Sequence, residues 1–374
     1  GNPINCGGSW DQSRGGGSLS HHQRLMALIT KVFWASVGAA VLGSGMAVEP
    51  LRLNGLIAAV MTPMHRDGSL NLPMVSEQAR YFQATNISHV FVAGTTGESV
   101  SLTVPERLKL TEAWERVGNE TGIRYIVHVG AESINDVITL AKHADAHGAE
   151  ALGIMPSVFF KPETIEALGA WIETAAAQAP DLPLYYYHIP SQTGVEFDML
   201  DLLTEMDRRG VNNFAGVKYT GLYETRAFPD LMRCNAYKNG AYDILSGREE
   251  VMAEALAVGT VGFIGSQFNF AGDIYWAVHN ENDMSRRNQL QLAAIELLYL
   301  WLDTAPAATD GNKAMMEVAG VPVGPPRAPK LPMPTDVKVQ LRAKVQTWCE
   351  DPTLGGLFDP VPQICVGASR AGAV

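Results

Sequence analysis

A chain of 374 residues has room for one large α/β domain or two ordinary ones. Its 47% hydrophobic and 18% charged residues are the proportions of a folded, soluble protein. The net charge of −11 excludes broad binding to nucleic acid or to an anionic membrane, both of which need basic surface, so an anionic ligand must be held by a local site.

The first 20 residues, "GNPINCGGSWDQSRGGGSLS", are rich in Gly and Ser and are not expected to fold. From Met26, "MALITKVFWASVGAAVLGSGMA" has a short start with Lys31, an apolar run from Val32 to Leu42 and small residues after it. That order resembles a secretory signal, and the run is too short to span a bilayer. A natural translation start at Met46 competes with it and is preferred. Residues 1–50 are therefore read as an extension, disordered or targeting-like, and the location as cytoplasmic, with a secretory or organellar one as the alternative. Cys6, Cys234, Cys349 and Cys365 lie far apart with no C-x-x-C pair, and are expected to be free thiols in a reducing compartment.

From Leu56 short apolar, β-branched runs alternate with helical patterns. The strand candidates are 56–61, 89–94, 124–130, 150–155, 183–189, 214–219, 242–247 and 260–265, and helices are expected over 104–118, 133–147, 162–178 and 248–258. Thr103 ahead of Pro105-Glu106 and Ser133 ahead of Asp136 read as helix caps. Continuous apolar strands separated by helices imply a parallel sheet covered on both faces. Eight such units predict an α/β fold, a (β/α)8 TIM barrel over residues 51–272. An open doubly wound sheet usually stops at five or six strands, and neither G-x-G-x-x-G after the first strand nor G-x-x-x-x-G-K-[ST] occurs. Beyond it the pattern is helical at 274–302, about 309–320 and 335–349, with the Pro-rich strap "GVPVGPPRAPKLPMP" between the last two. Residues 273–355 thus form a helical extension and 356–374 a Gly/Ala-rich tail.

A barrel of this kind carries its site where strands end and βα loops begin. The strand ends supply "GTTGES", "YYYHIP", "VKYTG", "SGREE" and "IGSQFN", which bring Thr95, Thr96, Tyr187, Lys218, Thr220, Gly247, Glu249, Glu250 and Ser266 to one mouth. The Gly-Thr-Thr-Gly turn offers backbone and hydroxyl donors suited to a carboxylate, or is an ordinary tight turn. Glu98 beside it reads as a carboxylate bonded to exposed backbone donors of the loop. Lys218, at the end of an apolar strand, is costly to bury charged. It is either a nucleophilic amine able to condense with a ketone or a rim lysine paired to a carboxylate, and Tyr187 on the neighbouring strand favours the amine. Strand alternation sends Tyr185 and Tyr187 to one face and Tyr186 to the other, and points His188 away from Tyr187 as a structural residue. His143 and His147 stand four apart in "HADAH" on an outer helix; without the glutamate of H-E-x-x-H they read as a solvated face, and no metal ligand is assigned.

Taken in order, "GTTGES", "YYYHIPSQTGV", "GVKYTG" and "GSQFN" resemble the N-acetylneuraminate lyase / dihydrodipicolinate synthase superfamily of class I aldolases, from about Arg52 to Pro334. The resemblance implies a Schiff-base lysine at Lys218, a catalytic tyrosine at Tyr187 and carboxylate binding by Thr95 and Thr96. The "YYYHIP-x-x-TGV" wording and "KAMMEVAGVPVGPPR" are similar to the lyase branch. Gln192 stands where the synthase branch carries an arginine for a second carboxylate, so the synthase, or an aldolase of shorter 2-keto-3-deoxy acids, is the alternative. A non-catalytic paralogue that binds sialic acid or pyruvate is a further alternative. In lyases the loop after strand seven reads Gly-x-Asp-Glu and holds the sugar's polyol tail; here it is Gly247-Arg248-Glu249-Glu250. Phe159 and Phe160 stand where relatives often have tyrosine. The resemblance further implies N-acetylneuraminate and pyruvate as small-molecule partners, no metal or organic cofactor, no nucleic-acid or membrane partner, and a homotetramer.

Overall fold

Eight short strands, all parallel and in chain order, close on themselves in a computed structural model that describes residues 51–221 and 226–370. They are β1 (Gly55–Ala59), β2 (His89–Val92), β3 (Arg124–His128), β4 (Ala151–Ile154), β5 (Leu184–His188), β6 (Phe214–Tyr219), β7 (Asp243–Ser246) and β8 (Gly262–Gly265). Pairing of β1 with both β2 and β8 completes the barrel, as the strand-helix alternation predicts. The expectations for residues 1–50, Cys6 included, fall outside the described residues. No described helix is long and apolar enough to cross a membrane.

Alternation along the strands builds two apolar layers. Ile57, Phe91, Ile126, Tyr185, Tyr187, Leu245 and Ile264 fill the barrel, while Leu56, Val90, Val127, Leu152, Tyr186 and Val217 lie beneath the surrounding helices. Those helices are α1 (Met74–Ala84), α2 (Val104–Thr121), α3 (Ile134–Ala146), α4 (Ile165–Ala176), α5 (Met199–Arg209), α6 (Ala227–Ala236) and α7 (Met252–Ala257). Thr103 and Glu106 form the expected capping box on α2. Ser133 occupies the N-cap of α3 but makes no side-chain cap bond, because the Asp136 amide is met by its carbonyl instead.

One irregularity positions the site. Leu184 pairs with Phe214, but the next residue, Tyr185, pairs with Gly216, so β6 carries one extra residue. Phe214 faces the outer layer and Ala215 the interior. Unbroken alternation would turn Lys218 outwards; the bulge re-phases the strand, so that Val217 faces out and Lys218 stands beside Tyr187. The bulge demands glycine at 216, since a Cβ there would meet the Asp243 carbonyl oxygen at 1.8 Å.

The helical extension differs from the sequence reading in two respects. The expected helix over 274–302 is two, α8 (Phe268–Asn280) and α9 (Met284–Leu302), interrupted where Asp283 caps α9 through the Arg286 amide. After α10 (Ala308–Val318) and α11 (Thr335–Cys349), the Gly/Ala-rich tail contains a helix the sequence reading did not assign: α12 (Gln363–Arg370) packs back, Gly367 lying against the Val318 carbonyl. Cys349 and Cys365 are joined in a disulfide with Cα atoms 5.5 Å apart, which corrects the free-thiol expectation for this pair. The chain returns on itself through α12, a long-range placement that cysteine spacing does not encode. Cys234 is a buried free thiol.

Candidate active site

The C-terminal mouth of the barrel holds a cavity of about 330 Å³. Every residue brought to the mouth by the strand-end rule lines it: Thr95, Thr96, Tyr187, Lys218, Thr220, Gly247, Glu249, Glu250 and Ser266.

Lys218 is 3% exposed, and its Nζ lies 3.9 Å from the Tyr187 ring centroid and 4.6 Å from that of Phe91. No described carboxylate is within ion-pairing distance, so no described residue makes the rim pair. Burial pulls its pKa down to about 7, against a smaller upward pull from Glu249. Room for the amine depends on Gly247, where a Cβ would sit 2.0 Å from Thr220 Cγ2 and 3.1 Å from Lys218 Cε. The Thr220 hydroxyl donates to the His188 carbonyl and ties β6 to β5.

Tyr187 is held edge-on by Phe91 and His128, at ring-centroid distances of 5.8 and 6.1 Å. The Thr95 hydroxyl donates to its phenol oxygen at 3.4 Å. Burial pushes the phenol up to about 12, so at neutral pH it keeps its proton and can give or relay one. His128, unremarked in the sequence, is fully buried below it with Nδ1 on the Ala93 carbonyl at 2.9 Å, and burial drives its pKa well below the usual value. His188 turns outwards between Tyr186 and Tyr219, as alternation predicts.

The Thr95-Thr96 turn is bracketed by Ala93 and Glu98, both at positive φ, and the Thr62 hydroxyl donates to the Gly97 carbonyl at 2.6 Å. Among the described residues the Glu98 carboxylate does not bond donors of its own loop. It pairs with Lys313 of α10 at 2.7 Å, both side chains 2% exposed, and accepts from the Arg327 amide at 2.9 Å. Lys313 also donates to the Pro325 carbonyl, and the Arg327 guanidinium grips Glu106 through two nitrogens at 2.7 and 2.8 Å. The helical extension and the Pro-rich strap are thereby fastened to the turn. Sequence reasoning had no signal for this pairing between remote segments.

The β7 loop divides its acids. Glu249 is buried and its Oε1 accepts from the Ser266 hydroxyl at 3.0 Å and the Gln267 amide at 2.8 Å, locking the β7 and β8 loops together. Burial, then the charge of Glu250, raises its pKa. Glu250 pairs with Arg248 at 3.1 Å on the cavity wall. Trp301, Thr309 and Asn312 also line the cavity; the sequence placed them in the extension, not at the site. The Asn312 Oδ1 and Trp301 Nε1 are buried without a hydrogen-bond partner among the described residues. Gln192 is exposed and does not line the cavity, and neither do Phe159 and Phe160, which are 78% and 83% exposed.

These features define a (β/α)8 barrel with a buried, lowered-pKa amine and a protonated phenol at its C-terminal mouth. Residues 52–348 match the dihydrodipicolinate synthetase family, and the chain belongs to it. It is similar to an N-acetylneuraminate lyase of Danio rerio, 35% identical over 310 residues that cover 82% of this chain and 99% of that one. The Homo sapiens N-acetylneuraminate lyase is 32% identical over 76% of this chain and 89% of its own. Among solved structures, the Proteus mirabilis N-acetylneuraminate lyase superposes with a TM-score of 0.74 at 30% identity, over 80% of this chain and 99% of that one. The sialic acid aldolase of Aliivibrio salmonicida gives 0.75 at 29%, over 80% and 97%.

Proposed function

We infer that the protein is an N-acetylneuraminate lyase, a carbon–carbon lyase of the class I aldolase type that reversibly cleaves N-acetylneuraminate to N-acetylmannosamine and pyruvate. The observation that carries this reading is the buried amine of Lys218 beside Tyr187, with no described carboxylate at ion-pairing distance, in a chain whose relatives bear that name over most of their length. Thr95 and Thr96 hold the C1 carboxylate. The neutral Lys218 amine attacks the C2 ketone of the open-chain sugar; the carbinolamine loses water to give a protonated imine. Tyr187 relays the C4 hydroxyl proton, passing its own phenol proton to the substrate carboxylate as it receives that one; C3–C4 breaks, its electrons pass into the imine as an enamine, and the aldehyde of N-acetylmannosamine leaves. Protonation at C3 and addition of water release pyruvate and restore the amine. The imine serves as electron sink, so these steps call on no cofactor.

Residues 51–272 carry this chemistry, and the extension closes the cavity over the polyol tail. Glu249, whose Oε1 is engaged by Ser266 and Gln267, together with Glu250 and Asn312, lines the cavity and is read as meeting that tail. The same reading includes a homotetramer, for which the exposed Phe159–Phe160 pair offers apolar surface. The test is a product assay across a panel of 2-keto acids. N-acetylneuraminate should give stoichiometric pyruvate and N-acetylmannosamine with the highest kcat/KM; preference for a shorter 2-keto-3-deoxy acid, or for condensation of pyruvate with an amino-aldehyde, would displace the assignment.

A further inference from the structure

We propose that Glu112, His143 and His147 form a binding site for one divalent transition-metal ion of the zinc type on the outer face of the barrel. His143 lies in the last turn of α3 and His147 caps its end, so the two imidazoles share one helix face. Their rings stack with centroids 4.1 Å apart at 30°. On the partly exposed face expected from the sequence, α2 places two carboxylates against them. His143 Nε2 is 3.3 Å from Glu112, and His147 Nδ1 is 2.8 Å from Glu115.

One donor atom each from Glu112, His143 and His147 lies within 4.8 Å of the others. An ion with nitrogen and oxygen ligands at about 2.0–2.2 Å in a tetrahedron brings such donors somewhat closer together than this. Partly exposed side chains can supply that contraction by small rotations, and the Glu112 and His147 side chains are 50% and 31% exposed. Two imidazoles and a carboxylate favour zinc, nickel or copper over calcium or magnesium, which take oxygen ligands. Glu115 adds a supporting contact: held on Nδ1–H, the His147 ring keeps its orientation and leaves the Nε2 lone pair for a metal. A metal here joins α2 to α3 on the outside of the barrel, away from Lys218, and has no part in the carbon–carbon chemistry.

The test is calorimetric titration of the EDTA-treated full chain with zinc chloride, alongside a double variant His143→Ala/His147→Ala and the single variant Glu112→Gln. Wild type should bind zinc in the micromolar range and gain thermal stability as the site fills. The double variant should lose this site, and Glu112→Gln should weaken it by about tenfold or more. Cobalt in place of zinc should give visible d–d absorption in wild type that the double variant lacks. Zinc heats and cobalt spectra unchanged in the double variant, or no wild-type binding at hundreds of micromolar, would overturn the site. If the double variant fails to fold, unaltered zinc affinity in Glu112→Gln, a change at a half-exposed position, overturns it equally.

Discussion

A lysine 3% exposed, with two aromatic rings for neighbours and no described carboxylate in reach, is held for its lone pair. With its pKa drawn down to about 7, about half the amine is neutral at that pH, whereas an ordinary lysine near 10.4 would be almost wholly charged. Attack on a ketone needs the neutral form. The rate of pyruvate adduct formation, followed by stopped flow, should therefore rise through pH 7 and level off above about pH 8; a rate still climbing at pH 9–10 would show an unperturbed amine. Gly247 is the companion residue, because a methyl there intrudes on Thr220 and on the Lys218 side chain. Gly247→Ala should lower kcat/KM at least about tenfold, which corresponds to about 1.4 kcal/mol of transition-state stabilisation, and should leave the far-UV circular dichroism spectrum as it was. Lys218 and Tyr187 were legible in the sequence, since strand ends define a barrel mouth. The need for Gly247 was not, because it arises from the side chain of a neighbouring strand.

The strands of the barrel could be read from their apolar runs, but the orientation of β6 could not. Counting by twos from Phe214 turns Lys218 out; only the register shift at Ala215, permitted by the absence of a side chain at Gly216, turns it in. The β2 turn shows the same limit. Its Gly-Thr-Thr-Gly wording signals a tight loop, yet what holds it is Glu98 paired with Lys313 from α10, a contact made in space between segments far apart in sequence. Breaking a pair buried to this degree leaves one charge without its partner, at a cost of about 3–5 kcal/mol, whereas replacing both partners with apolar groups is often close to neutral. Lys313→Met should thus lower stability to urea by about that amount, and Glu98→Leu/Lys313→Met should recover most of it. Equal losses in the single and double variants would show that packing, not the pairing, is what matters there.

At the largest scale, the described residues form a barrel whose helical extension contributes to its own mouth. Trp301, Thr309 and Asn312 from that extension line the cavity together with the β7 loop, while Lys313 and Arg327 bind the extension to the β2 turn. The sequence showed the extension as helices and a Pro-rich strap, but not that it contributes to the site, since helical periodicity reports which face is buried and not against what. Its end is closed by Cys349–Cys365, two residues 16 apart. On the chain-entropy account a loop of about 15 residues is worth about 3 kcal/mol. Cys365→Ser, or reductant added to wild type, should therefore lower unfolding stability by about that amount without altering turnover at 25 °C; no change in denaturation midpoint would show that α12 is held by packing alone. The account as a whole rests on Lys218 forming an imine at the barrel mouth. Incubation with pyruvate and borohydride, followed by peptide mass mapping, tests that most directly: a reduced pyruvyl adduct on Lys218, absent from Lys218→Arg, is the predicted result, and no adduct, or one on another lysine such as Lys161, would contradict it.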